Sequence, residues 1–187
     1  MINNIYIMNS FELNLDYSLK NLEETITGLR IKGKEFNDKG QDIFYRKSDL
    51  SKIYFNKIQS TKLLLKLENI TIPSECKKLY EEYINEKNKI NNNVGKINYL
   101  ISEREKDIIK QERDFEIVKK KYNNLKKETG ILTKTIYVFI TYYYNNYDSK
   151  SDYFIDTTTN FINLIRKEEY AKNILENNEY RKLLSYI

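Results

Sequence analysis

The chain contains no histidine and a single cysteine, Cys76. These shortages exclude Cys/His zinc sites, Ser-His-Asp and Cys-His nucleophilic systems, and any histidine general base. They also exclude an intramolecular disulfide, and Cys76, beside a helix start, reads as a small apolar side chain. One proline, Pro73, and five glycines in 187 residues leave little to interrupt helices. No apolar run approaches the ~20 residues that cross a bilayer, and no secretory apolar segment follows a basic start. The expectation is a soluble, intracellular (by default cytoplasmic) chain. With no catalytic constellation in the sequence, the reading is non-enzymatic, and no cofactor or metal is expected.

What the chain does have is charge. It is 32% charged against 40% hydrophobic, which together with the scarcity of breakers points to long, solvent-washed helices rather than a thick globular core. The net charge of +5 and pI near 9.0 invite a nucleic-acid or anionic-membrane reading. Asn, Ile, Lys and Tyr all run high together, however, as AT-rich coding sequence produces, and this raises lysine without any phosphate partner.

Apolar residues fall on two seams. In the second half of the chain a 4-3 spacing visits Cys76, Tyr80, Tyr83, Lys87, Ile90, Val94, Ile97, Ile101, Arg104, Ile108, Gln111, Phe115, Val118, Tyr122 and Leu125. A period of 3.5 held this long is the coiled-coil pattern. The first half repeats it through Leu15, Leu19, Leu22, Ile26, Leu29, Gly33, Phe36, Gly40, Ile43, Lys47, Leu50 and Tyr54, then drifts toward Ile58 and Leu65.

Between the seams, "ENITIPSE" holds Pro73, which suits the first turn of a new helix, and Glu75, which favours that helix's positive end. A turn at about residues 70–74 makes the two helices antiparallel neighbours. If that turn is symmetric, facing residues sum to about 144, pairing Ile43 with Ile101, Phe36 with Ile108, Leu29 with Phe115 and Leu22 with Tyr122. Gly33 and Gly40 then face Gln111 and Arg104. Because each interior glycine costs about 1 kcal/mol against alanine, "GKEFNDKG", residues 33–40, is where helix 1 would break. Gly130, after Lys126 and Lys127, reads as the stop of helix 2.

The predicted fold is therefore all-α: a long antiparallel coiled-coil hairpin over residues 10–130, and a small Tyr-rich helical head over 131–187 near the chain ends. Within the head, "ILTKTIYVFITYYYNNYDSKSDYF" favours a strand by propensity, and "NNIYIMNSF" at the amino terminus could pair with it. The apolar spacing and helical surroundings favour helix for both. Residues after Asp156, a candidate cap, read as one helix or two, marked by Phe161, Ile162, Leu164, Ile165, Tyr170, Ile174, Leu175, Leu183 and Leu184.

Motifs for small-molecule chemistry do not survive their context. "GLRIKGK" matches G-x-x-x-x-G-K, but Glu35 follows where a magnesium-binding Ser or Thr belongs, and the stretch lies on a helical seam. The pairs Glu23/Glu24, Glu81/Glu82 and Glu168/Glu169 diverge by about 100° on a helix and cannot converge on one bond. The sequon Asn69-Ile70-Thr71 has no signal peptide ahead of it. The densest basic cluster is "KKKYNNLKK", with Lys119, Lys120, Lys121, Lys126 and Lys127, offset by Glu112, Glu116 and Glu128.

The seams carry the functional expectation: Leu22, Ile26, Leu29, Phe36, Ile43 and Leu50 on one helix, and Ile90, Val94, Ile97, Ile101, Ile108, Phe115, Val118, Tyr122 and Leu125 on the other. The chain reads as a structural or adaptor protein, a spacer or scaffold subunit that meets protein partners, as a homo- or hetero-oligomer, through its coiled-coil flanks or its head. One alternative is a helical protein that coats or bends anionic bilayers. Another is a nucleic-acid-associated subunit using the 119–127 cluster.

Overall fold

The structure is a computed structural model that describes residues 2–73 and 75–187, with side chains from Ser10 onward. Two long helices, α1 (Ile2–Glu68) and α2 (Lys77–Asn146), pack together as a hairpin. Three short helices follow: α3 (Asp152–Arg166), α4 (Glu169–Ile174) and α5 (Asn177–Leu184). Among the described residues there is no strand, so both the amino-terminal "NNIYIMNSF" and residues 131–146 are helical. In the latter stretch Thr133, Ile136, Ile140 and Tyr143 are the buried positions, and that 3-4-3 spacing outweighs the strand propensity of the β-branched and aromatic residues around them.

Contacts divide the chain into two compact units, one of Met1–Phe36 with Val118–Ile187 and one of Asn37–Ile117. In the first, α3, α4 and α5 cover the helix pair. Leu15, Leu22 and Ile26 of α1, Ile136 and Ile140 of α2, and Phe154, Phe161, Ile162 and Ile165 of α3 form one buried cluster with Ala171, Leu175 and Leu183. Aromatic rings close it: Tyr144 stacks on Tyr186 at 4.0 Å, Tyr143 on Phe154 at 5.4 Å, and Phe11 meets Phe139 edge-on at 5.3 Å. The helix α3 starts at Ser151, whose hydroxyl accepts from the Phe154 N–H, so the cap lies upstream of the expected Asp156. Ser151 has the extended backbone a cap requires, whereas Asp156 already belongs to the helix. Three short helices, not one or two, make up the tail.

The second unit has only the two hairpin helices. Most seam residues there meet one neighbour helix and keep an open flank. Ile101 and Ile108 are buried, while Ile43, Leu50, Ile90, Val94, Ile97 and Phe115 are half-buried.

Three expectations are corrected. The helix α1 does not break at residues 33–40, and the register is not the symmetric one. A β-carbon added at Gly33 would lie 3.3 Å from Tyr122 Cε2, one at Gly40 3.5 Å from Phe115 Cε2, and one at Gly28 3.4 Å from Leu125 Cδ1. The glycines are slots for large α2 side chains, and that contact offsets their helix penalty. Gly33 and Gly40 therefore face Tyr122 and Phe115 rather than Gln111 and Arg104, and Phe36 stacks on Tyr122 at 5.4 Å instead of meeting Ile108.

The shift has a local cause. The Tyr83 hydroxyl donates to the Leu67 carbonyl at 2.8 Å and Lys87 approaches Glu68 at 3.9 Å, so residues 77–82, all exposed, precede the first α2 residues that meet α1. The turn is asymmetric. The displacement is about eleven residues, close to three turns, so seam still meets seam. Finally, Gly130 does not end α2. No glycine has positive φ, and a β-carbon at Gly130 would lie 3.3 Å from Ile174 Cδ1, so this glycine admits α4 instead.

Two outcomes follow from this packing. Gly95 has open space around it, so Gly95→Ala gains about 1 kcal/mol in denaturant unfolding. Gly33→Leu, which drives a side chain into the Tyr122 ring, loses about 1–3 kcal/mol. Separately, burial, then the hydrogen bond to Asp16, hold the Tyr153 phenol well above the usual tyrosine range. Its hydroxyl lies 3.1 Å from the Glu12 carbonyl and 3.0 Å from Asp16 Oδ1. The unfolded chain thus loses this proton first. The stability contribution is intact below about pH 10 and declines as pH rises toward the folded value. Urea unfolding at graded alkaline pH shows that decline, and Tyr153→Phe reduces its slope.

Candidate interaction surface

Along α1 in the second unit, two 4-3 patterns overlap. The half-buried seam runs Ile43, Arg46, Leu50, Ile53, Lys57, Ser60, Leu64 and Leu67. The sequence pattern through Lys47, Tyr54, Ile58 and Leu65 leaves the seam after Ile43 and forms a neighbouring stripe. Arg46 takes the inner place because its guanidinium bonds Asp107 of α2 as well as Asp42 one turn back. The hydrogen bond to Asp42, with Asp107 nearby, holds that guanidinium firmly charged.

The outer stripe comprises Phe44, Lys47, Ser51, Tyr54, Ile58, Thr61 and Leu65, again at spacings of three and four. Its large apolar members are open: Phe44 is 69% exposed, Ile58 51% and Leu65 54%, with Phe55 beside them at 60%. On α2, Glu112 bonds Lys47 at 2.6 Å and Glu105 accepts from the Tyr54 hydroxyl, so two polar links tie one border of the stripe to α2. That hydrogen bond, then burial, hold the Tyr54 phenol above the ordinary range. A cleft of about 410 Å³ opens at the upper end of this border, lined by Gly40, Ile43, Lys47, Glu112, Phe115 and Glu116. The opposite border is basic: Lys52, Lys62 and Lys66 are all exposed. Phe44 and Phe55 were absent from the sequence-derived surface. Phe44 lies on a second heptad offset by one position from the seam, and Phe55 lies beside it.

The remaining expected site residues scatter or are covered. The seam residues Leu22, Ile26, Leu29 and Val118 are buried in the first unit, where Phe36, Tyr122 and Leu125 are half-buried. The basic cluster does not converge. Consecutive residues on α2 turn by about 100°, so Lys119, Lys120 and Lys121 point in three directions. Lys126 lies over the Tyr170 ring at 4.6 Å, which occupies its charge within the fold, while Lys127 is exposed. "GLRIKGK" is continuous helix.

A second cleft of about 470 Å³ in the first unit is lined by Asp16, Lys20, Glu23, Asn160, Asn163 and Lys167 with Leu19 and Leu164. Among the described residues, no three His, Cys, Asp or Glu side chains are grouped to hold a metal ion, and no helix is long and apolar enough to cross a membrane. No protein-family model, no curated protein and no solved structure matches this chain.

Proposed function

We propose that this chain is a non-enzymatic scaffold or adaptor subunit that holds other proteins by helix-to-helix packing along its hairpin. The observation that carries this reading is the open heptad stripe of Phe44, Tyr54, Ile58 and Leu65 beside an already occupied seam. A 4-3 repeat of apolar side chains is the pattern that a second helix reads, knob into hole. Aromatic residues within such a patch are the usual anchors of protein interfaces. The hairpin supplies the rigidity that presents the stripe, because the Lys47–Glu112 and Tyr54–Glu105 links fix its α2 border. The mechanism is geometric: partners are positioned, not transformed.

The test compares the wild-type chain with Phe44→Ser/Ile58→Ser in cells that express it, using quantitative co-purification. Both side chains are exposed, so helix content is unchanged and the unfolding free energy stays within about 0.5 kcal/mol of wild type. The expected result is loss of specific co-purifying proteins with the fold intact. Identical partner sets for the two proteins contradict the reading.

A further inference from the structure

We infer that the stripe on α1 receives an amphipathic helix of a different protein whose apolar face is bordered by aspartate and glutamate. The inference rests on the scaffold reading above and adds the chemistry of the partner.

The argument is one of charge. Between residues 44 and 66, α1 carries Arg46, Lys47, Lys52, Lys57, Lys62 and Lys66 against a single acid, Asp49. Arg46 and Lys47 are engaged with α2, and Lys52 lies 2.9 Å from Asp49. Lys62 and Lys66 stand exposed beside Ile58 and Leu65 on the border away from α2. A helix laid along the stripe brings one of its own borders against these lysines. Acidic residues there are attracted, and basic ones are repelled.

The same charges argue against a second copy as occupant. Antiparallel self-pairing sets the Lys62 and Lys66 border of one copy on the same border of the other, so like charges oppose across the apolar contact. A membrane surface is the weaker fit as well. Lys47, Ser51 and Thr61 interrupt the apolar residues of the stripe, whereas an interfacial helix presents a broad, continuous apolar face. From Phe44 to Leu65 the stripe spans roughly 33 Å at 1.5 Å per residue, about six turns, which sets the length of helix it accommodates.

The probes are two synthetic helical peptides of about six turns, identical in apolar heptad positions, one flanked by glutamate and the other by lysine. Binding to the full chain is measured by fluorescence anisotropy. The glutamate peptide is expected to bind at least about tenfold more tightly than the lysine peptide, with the difference shrinking as salt rises. Phe44→Ser/Ile58→Ser abolishes its binding, and Lys52→Glu/Lys62→Glu/Lys66→Glu reverses the preference.

Equal binding of both peptides, lost in the serine variant, overturns the acidic-partner inference and leaves the scaffold reading standing. No binding of either peptide counts against both. Two further measurements on the same variants would also overturn the inference. One is concentration-dependent dimerisation in sedimentation that Phe44→Ser/Ile58→Ser removes, which makes a second copy the occupant. The other is co-sedimentation with phosphatidylserine-containing vesicles through the same residues, which makes it a bilayer.

Discussion

The fit of α2 side chains into α1 glycines sets everything else in the hairpin. Tyr122 fills the space beside Gly33, Phe115 that beside Gly40, and Leu125 that beside Gly28. A two-helix seam of plain heptads permits several registers, since any slip by a near-integral number of turns restores apolar contact. Large side chains meeting missing ones remove that degeneracy. This alignment places a large side chain at each gap, a ring at Gly33 and Gly40 and Leu125 at Gly28, and it decides which α1 residues lie inside and which remain open.

The two units handle the apolar surface differently. In Met1–Phe36 with Val118–Ile187, the short helices α3 to α5 complete a core with buried Phe154, Phe161 and Ile165, and the stripe of each long helix is correspondingly wide. In Asn37–Ile117 the two helices pack only on each other, so most seam residues other than Ile101 and Ile108 are half-buried and a further stripe lies in the open. A large exposed apolar patch is the feature of a soluble surface that asks for an explanation, more than any scattered exposed leucine. Ion pairs such as Lys47–Glu112 contribute little stability at such exposure. Their geometry marks the α2 border of the outer face of α1.

Much of this was legible in the sequence. Pattern gives the all-α class and the helical hairpin with its turn around Pro73, because helical periodicity depends on local geometry alone; of the α2 positions it marks from Tyr83 to Leu125, Arg104 is exposed. Where legibility failed, a contact distant in sequence decided the outcome. Gly33 and Gly40 looked like weak points because helix propensity sees only their missing side chains, not the rings opposite. Gly130 looked like a helix stop for the same reason, although Ile174 approaches it from α4. The register depends on how far α2 runs before it meets α1, and no period marks residues 77–82, all exposed, as the stretch that precedes that meeting. The outer stripe is half visible in the sequence: Tyr54, Ile58 and Leu65 continue the seam's pattern, and that they lie outside it goes with Arg46 reaching Asp107.

Chemical cross-linking tests the register directly. In a Cys76→Ser background, one variant carries Lys47→Cys with Glu112→Cys and another carries Ile43→Cys with Ile101→Cys, each treated with a short bis-maleimide. Glycine-slot packing predicts rapid intramolecular linkage of the first pair and none of the second. Efficient linkage of the second pair with failure of the first would contradict it.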